Sequence, residues 1–112
     1  MILENASILK AKSELAHLDE VLEQEGFVRW QWEYNRATYD FKISDNGSDY
    51  FLRINTRAIE GKLENPFAVL EIEAVYVGLA TFPHGLDYNT SIPDKVNTLV
   101  NKKLDKLKTV LT

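Results

Sequence analysis

A histidine and a carboxylate three residues apart, His84 and Asp87, are the pair in this chain whose types and spacing best suit chemistry. They lie in the segment Thr81-Phe82-Pro83-His84-Gly85-Leu86-Asp87-Tyr88. An imidazole titrates near neutral pH and a carboxylate can orient it, so such a pair could act as a general base. Nothing in the sequence completes a site around it. There is no cysteine and no Gly-x-Ser-x-Gly elbow to supply a nucleophile. The segment reads instead as a connection, in which Phe82 and Leu86 are apolar pins and Pro83 and Gly85 set the turns. His17 has no ligand partner at helical spacing, since position 13 is Ser and position 21 is Val, and the weak pairing with Glu20 does not make a metal site. Asp45-Asn46-Gly47-Ser48-Asp49 lacks the length and the terminal Glu of a calcium loop, and suits a hairpin turn better. The expectation is therefore no catalytic residue, no cofactor and no metal.

Aromatic residues raise a second possibility. Trp30, Trp32, Tyr34, Tyr39, Phe41, Tyr50 and Tyr76 could stack bases on an exposed sheet. The net charge of −4 and an isoelectric point near 5.1 argue against nucleic acid and anionic membrane, both of which call for clustered Lys and Arg. The aromatics are expected in the core.

The elements that would position these residues follow from periodicity. Over the first 26 residues Ile8, Ala11, Leu15, Leu18 and Leu22 recur at three- and four-residue spacing, which predicts a helix with Asn5 or Ser7 as N-cap and Gly26 as its stop. From residue 27 the period becomes two. The predicted core faces are Val28, Trp30, Trp32 and Tyr34 in the first strand, and Ala37, Tyr39, Phe41 and Ile43 in the second. They are Tyr50, Leu52, Ile54, Thr56 and Ala58 in the third strand, and Ala68, Leu70, Ile72, Ala74 and Tyr76 in the fourth. A turn at Asn35-Arg36 would set Trp30 opposite Phe41 and Trp32 opposite Tyr39. A turn at Asn46-Gly47 would set Phe41 opposite Leu52 and, on the other face, Asp40 opposite Arg53. The third register is looser, with Ala58, Thr56 and Ile54 near Ala68, Leu70 and Ile72. A final helix with Ser91 as cap carries Val96, Leu99, Val100, Leu104, Leu107 and Leu111 on one stripe.

Residues 1–112 thus form one α+β domain: a four-stranded antiparallel β-meander with N- and C-terminal helices on one face, in the order α-β-β-β-β-α. The first helix is acidic and the last is basic, which favours packing them side by side. No basic region precedes a long apolar run at the N-terminus, and the stretch Ala74 to Phe82 is too short to span a bilayer, so the cytoplasm is the expected compartment.

The stretches Gly26-Phe27-Val28 through Trp32-Glu33-Tyr34-Asn35-Arg36-Ala37-Thr38-Tyr39-Asp40, and Phe82-Pro83-His84-Gly85-Leu86-Asp87-Tyr88, resemble the YugN-like family of Bacillus and its relatives. That resemblance implies a small cytoplasmic bacterial protein with a TBP-like α+β fold. It carries over no biochemical activity and no functional residue.

What the residues themselves suggest is a non-enzymatic interaction or structural protein. Its second sheet face would hold Phe51, Arg53, Val69, Glu71, Val75 and Val77, an apolar patch ringed by both signs of charge, and this face is expected to form a homodimer. A different class is a small-ligand binder, with a pocket between the curled sheet and the C-terminal helix lined by Trp30, Trp32 and Tyr39.

Overall fold

The computed structural model describes residues 1–4, 6–81 and 85–111, and of Gln31, Trp32 and Gly85 the backbone only. Its elements run β1 (Lys12–Glu14), α1 (Leu15–Gln24), β2 (Val28–Glu33), β3 (Arg36–Asp45), β4 (Ser48–Glu60), β5 (Val69–Thr81), β6 (Gly85–Asp87) and α2 (Asp94–Leu111). The class is α+β, as expected. The four meander strands are present, and two short strands extend the sheet to the order β1-β5-β4-β3-β2, with β6 also paired to β5. Both helices bury their apolar stripes with one face of this sheet in a single core. Leu18 and Leu22 of α1, Leu52 and Ile54 of β4, and Val100 and Leu107 of α2 are each at most 1% exposed. Burying a side chain of that kind stabilises by roughly 1.5–3 kcal/mol, an upper figure because unfolded chains already bury some surface.

The first helix is shorter than its apolar spacing predicts. It begins at Leu15, and Glu14 is its N-cap residue, with no side-chain cap. The orphan donors are met by the loop before β5 instead: Leu15 N–H donates to Ala68 O (2.8 Å) and Ala16 N–H to Pro66 O (3.0 Å). Ser7 lies well outside the helix, and Asn5 lies outside the described residues. Ile8 is fully buried all the same, because the segment before α1 runs along β5: Lys10 N–H donates to Ile72 O, and Ile72 N–H to Ala11 O, both at 2.9 Å.

The stop at Gly26 is as expected. Phe27 N–H returns to Leu22 O (2.9 Å) and Gly26 N–H to Glu23 O (3.0 Å), the paired bonds of a Schellman motif. Gly26 has φ +91°, and a Cβ there would sit 3.0 Å from Phe41 Cε1. Gly26→Ala should therefore destabilise the protein by about 1–2 kcal/mol, measured by urea unfolding. An unchanged midpoint would mean that α1 ends differently. At the other helix the Pro93 carbonyl accepts from Asn97 N–H (2.9 Å), and α2 starts at Asp94, three residues beyond Ser91, which is therefore not its cap.

Register decides which side chains reach each face. The second hairpin matches expectation throughout: Asp45 pairs with Ser48, Phe41 with Leu52 and Asp40 with Arg53. Asn46 (φ +50°) and Gly47 (φ +79°) supply the two left-handed residues that such a turn requires. The first hairpin does not match. Its turn is Tyr34-Asn35, with Glu33 opposite Arg36, and an irregularity between Gln31 and Glu33 inserts one extra residue. That single residue reverses the parity beyond it, so Trp30 faces Thr38 and Val28 faces Asp40. Val28 and Trp30 are therefore on the face away from the helices. Tyr34 belongs to the turn and is exposed. A second bulge acts in the same way on β5. Asn55 pairs with Ala74 and Thr56 with Ile72, which leaves Glu73 as the extra residue. Val75 and Val77 consequently enter the core, at 1% and 0% exposure, while Ala74 and Tyr76 turn to the other face. The placement of Val75 and Val77 on an open surface is thereby corrected.

Candidate functional site

The face that the helices leave uncovered is built from cross-strand rows. One row reads Val28, Asp40, Arg53, Tyr76 across β2, β3, β4 and β5. The next reads Trp30, Thr38, Asn55, Ala74. A third holds Arg36, Arg57 and Glu71. The middle row ends in small side chains and the rows beside it carry long ones, so a shallow polar cup of about 380 Å3 forms, bounded by Arg36, Arg53, Thr38, Asn55, Glu33 and Glu73.

Along one side of it Arg53 meets Asp40 side-on. Nε donates to Oδ1 at 2.8 Å and Nη2 to Oδ2 at 2.9 Å, with Asp40 only 6% exposed. Bidentate pairs of this geometry are among the stronger polar contacts in proteins. The hydrogen bonds to Asp40 hold the Arg53 guanidinium above its already high usual pKa. Arg53 Nη1 also donates to the Tyr88 hydroxyl (3.4 Å), and the Tyr88 ring lies 5.1 Å from that of Tyr76. The segment after β6 thus folds back onto the uncovered face. Thr38 donates to Asn55 Oδ1 (3.0 Å), and Arg57 pairs with Glu73 (2.8 Å). Three arginines stand against Asp40, Glu33 and Glu73 in and around the cup. That balance suits a polar partner carrying both signs, and it does not form a phosphate track.

Of the six residues expected at an interface, Phe51, Arg53, Val69 and Glu71 do lie on this face, and Val75 and Val77 do not. Phe51 sits between Lys42 and Gly78. Val69 and Glu71 lie further along β5, against Glu14 and Lys12 of β1. The register shift brings Val28 and Trp30 to the face in place of the valines, at 61% and 53% exposure. Trp30 therefore cannot share a pocket with Tyr39, which is buried on the helix side. The Tyr39 hydroxyl donates to Asp19 Oδ1 of α1 (2.6 Å), and burial, reinforced by that bond, raises its pKa well above the usual phenol value. Arg29 donates to the other oxygen of Asp19 (3.0 Å), tying edge strand β2 to α1. Sequence reasoning did not single out Asp19, because its partners are set by the bulge in β2. The Trp32 side chain lies outside the described residues.

His84 also lies outside the described residues. Asp87 is described, and both its oxygens are engaged within the turn that follows β6: Oδ1 accepts from Asn89 N–H (2.9 Å) and Oδ2 from the Thr90 hydroxyl. The Thr90 hydrogen bond, followed by that of the Asn89 N–H, lowers the Asp87 pKa. A carboxyl depressed in the folded state contributes stability above its unfolded pKa and loses it as pH falls through the folded value. Thr90→Val should raise the Asp87 pKa toward the usual value near 4, read from an NMR titration of its carboxyl carbon between about pH 2 and 6. An unmoved midpoint would show that the threonine bond does not persist in solution. Among the described residues no group of three or more His, Asp or Glu is arranged to hold a metal ion, and His17 is exposed on α1. No helix of the described residues is long and apolar enough to cross a membrane.

The YugN-like family model matches residues 4–106. The chain is 34% identical over 106 residues to the uncharacterized protein YlbA of Bacillus subtilis (strain 168), covering 88% of each chain. It is 31% identical over 74 residues to the uncharacterized protein YugN of the same organism, covering 65% of this chain and 55% of that one. The crystal structure of the uncharacterized conserved protein YugN from Geobacillus kaustophilus HTA426 superposes with a TM-score of 0.85 at 31% identity, over 99% of this chain and 94% of that one. The likeness thus extends over sequence and fold together, and the chain belongs to the YugN-like family.

Proposed function

We propose that this protein is a non-catalytic interaction protein that self-associates as a homodimer through the sheet face its helices leave uncovered. The observation that carries this reading is the pair Val28 and Trp30, more than half exposed on edge strand β2 beside a polar cup. A tryptophan buries about 150–250 Å2 at an interface, and aromatic residues are enriched there. Across a two-fold axis each such contact is made twice. The cup bears equal numbers of arginine and acidic side chains, so it can face its own copy without net repulsion. Its chemistry has no requirement for a nucleophile, a metal or a nucleic acid.

Sedimentation equilibrium tests this on the wild type and on Val28→Lys with Trp30→Lys. The expected result is a wild-type dimer at tens of micromolar and a folded monomer for the double variant. A wild type that stays monomeric at high micromolar concentration overturns the proposal, as does a dimer indifferent to both changes.

A further inference from the structure

On the opposite side of the molecule, between α2 and β3, lies a groove of about 450 Å3. Phe41, Ile43 and Leu99 form its apolar floor, and Leu99 is 45% exposed although it belongs to the apolar stripe of α2. Lys102, Lys103 and Lys106 stand along one rim. Lys103 Nζ lies 4.5 Å above the Phe41 ring and donates to the Glu25 backbone carbonyl (3.0 Å). Its ammonium is 3.4 Å from Glu25 Oε1, and that of Lys106 is 3.2 Å from Oε2. Burial disfavours the Glu25 carboxylate, and the hydrogen bonds from Lys106 and Lys103 outweigh it, so the pKa of Glu25 is lowered. Glu25 is thus fully committed, and Lys102 has no ion-pair or hydrogen-bond partner among the described residues.

We propose that this groove binds an organic carboxylate with an apolar body, an acyl or aryl acid. Four lysines line the groove against one carboxylate, and with Lys42 paired to Asp49 outside it three ammonium groups still stand against Glu25, in a chain whose net charge is −4. That local excess attracts an anion against the sign of the whole molecule. The floor decides what kind of anion. An inorganic phosphate would leave Phe41, Ile43 and Leu99 in water, while a neutral hydrocarbon would cover them and leave Lys102 without a counter-charge. A carboxylate head on Lys102 and an apolar body over the Phe41 edge satisfy both. The size lies within the range of small-molecule sites. Because the groove is on the helix side, its test is independent of the self-association test.

The full chain is titrated with decanoate, inorganic phosphate and decanol in separate arms at low salt, with amide shifts of Phe41, Ile43 and Leu99 followed by heteronuclear NMR. Decanoate is expected to saturate those shifts at submillimolar concentration. Lys102→Glu should weaken it about tenfold, through loss of the attraction and a new repulsion. Lys95→Glu, exposed in the first turn of α2 and outside the groove, should change it less than about twofold. Both variants are checked for an unchanged amide spectrum away from the groove. Equal shifts with phosphate, equally tight binding of decanol, or equal effects of the two variants each overturn the proposal, as does failure of decanoate to saturate.

Discussion

Arg53→Met is expected to cost about 3 kcal/mol of unfolding free energy, the lower end of what breaking a buried ion pair from one side costs. Methionine keeps most of the arginine stem, so packing changes little and the loss falls on charge. What remains is the Asp40 carboxylate, 6% exposed, with both oxygens stripped of their donors. Thr38 and Val28 beside it offer no cation. Asp40→Leu combined with Arg53→Met should recover most of the loss, because an apolar pair of similar volume often replaces a buried ion pair at little net cost. Urea unfolding at neutral pH reads the difference, and the single variant should lower the midpoint by about 2 M for a chain of this size. A single variant within about 1 kcal/mol of wild type would show that water reaches Asp40 freely.

The second large effect is a contrast between neighbours. Val75→Glu should abolish cooperative folding at room temperature, and Ala74→Glu should remain within about 1 kcal/mol of wild type. Val75 is 1% exposed and packed in the core opposite Ile54, where a carboxylate would have no partner. Ala74 lies half-buried on the uncovered face opposite Asn55, where a longer polar side chain can reach solvent. Without the extra residue at Glu73 the two outcomes would be exchanged. Circular dichroism with thermal unfolding separates them, and a folded Val75→Glu would place the bulge elsewhere.

These two experiments fall where the sequence was most and least legible. Asp40 opposite Arg53 is readable because Asn46-Gly47 demands one turn and that turn admits one register. The burial of the pair is not readable from alternation, since Tyr88, which packs against Arg53, arrives from a distant connection. The faces of β2 and β5 were misread for a common reason. Each strand carries one extra residue, and an insertion of one reverses every position beyond it while leaving the alternation itself intact on either side. Neither bulge is marked by glycine. At the N-terminus Ile8 and Ala11 continue the spacing of Leu15, Leu18 and Leu22, so apolar periodicity alone extends the helix. The chain breaks it because β5 offers an unpaired edge and its preceding loop supplies carbonyls for the first turn of α1. Of the candidate residues, Phe51, Arg53, Val69 and Glu71 were placed on the right face, whereas Val28 and Trp30 appeared there only once the bulge in β2 was known.

The pairing of the N-terminal segment with β5 has a consequence for how the chain is made. Lys12 lies opposite Glu71, and Leu3 N–H donates to Val75 O, so this segment docks on a strand that is synthesised roughly 60 to 70 residues after it. At about 5–20 residues per second, Ile8 stays without its seat for about 3–14 s of translation. The β3–β4 hairpin can close as soon as its own residues emerge, since its contacts are local. Until β5 has left the ribosome, the segment that carries Leu3, Ile8 and Leu9 has no edge to pair with and keeps its apolar side chains unburied.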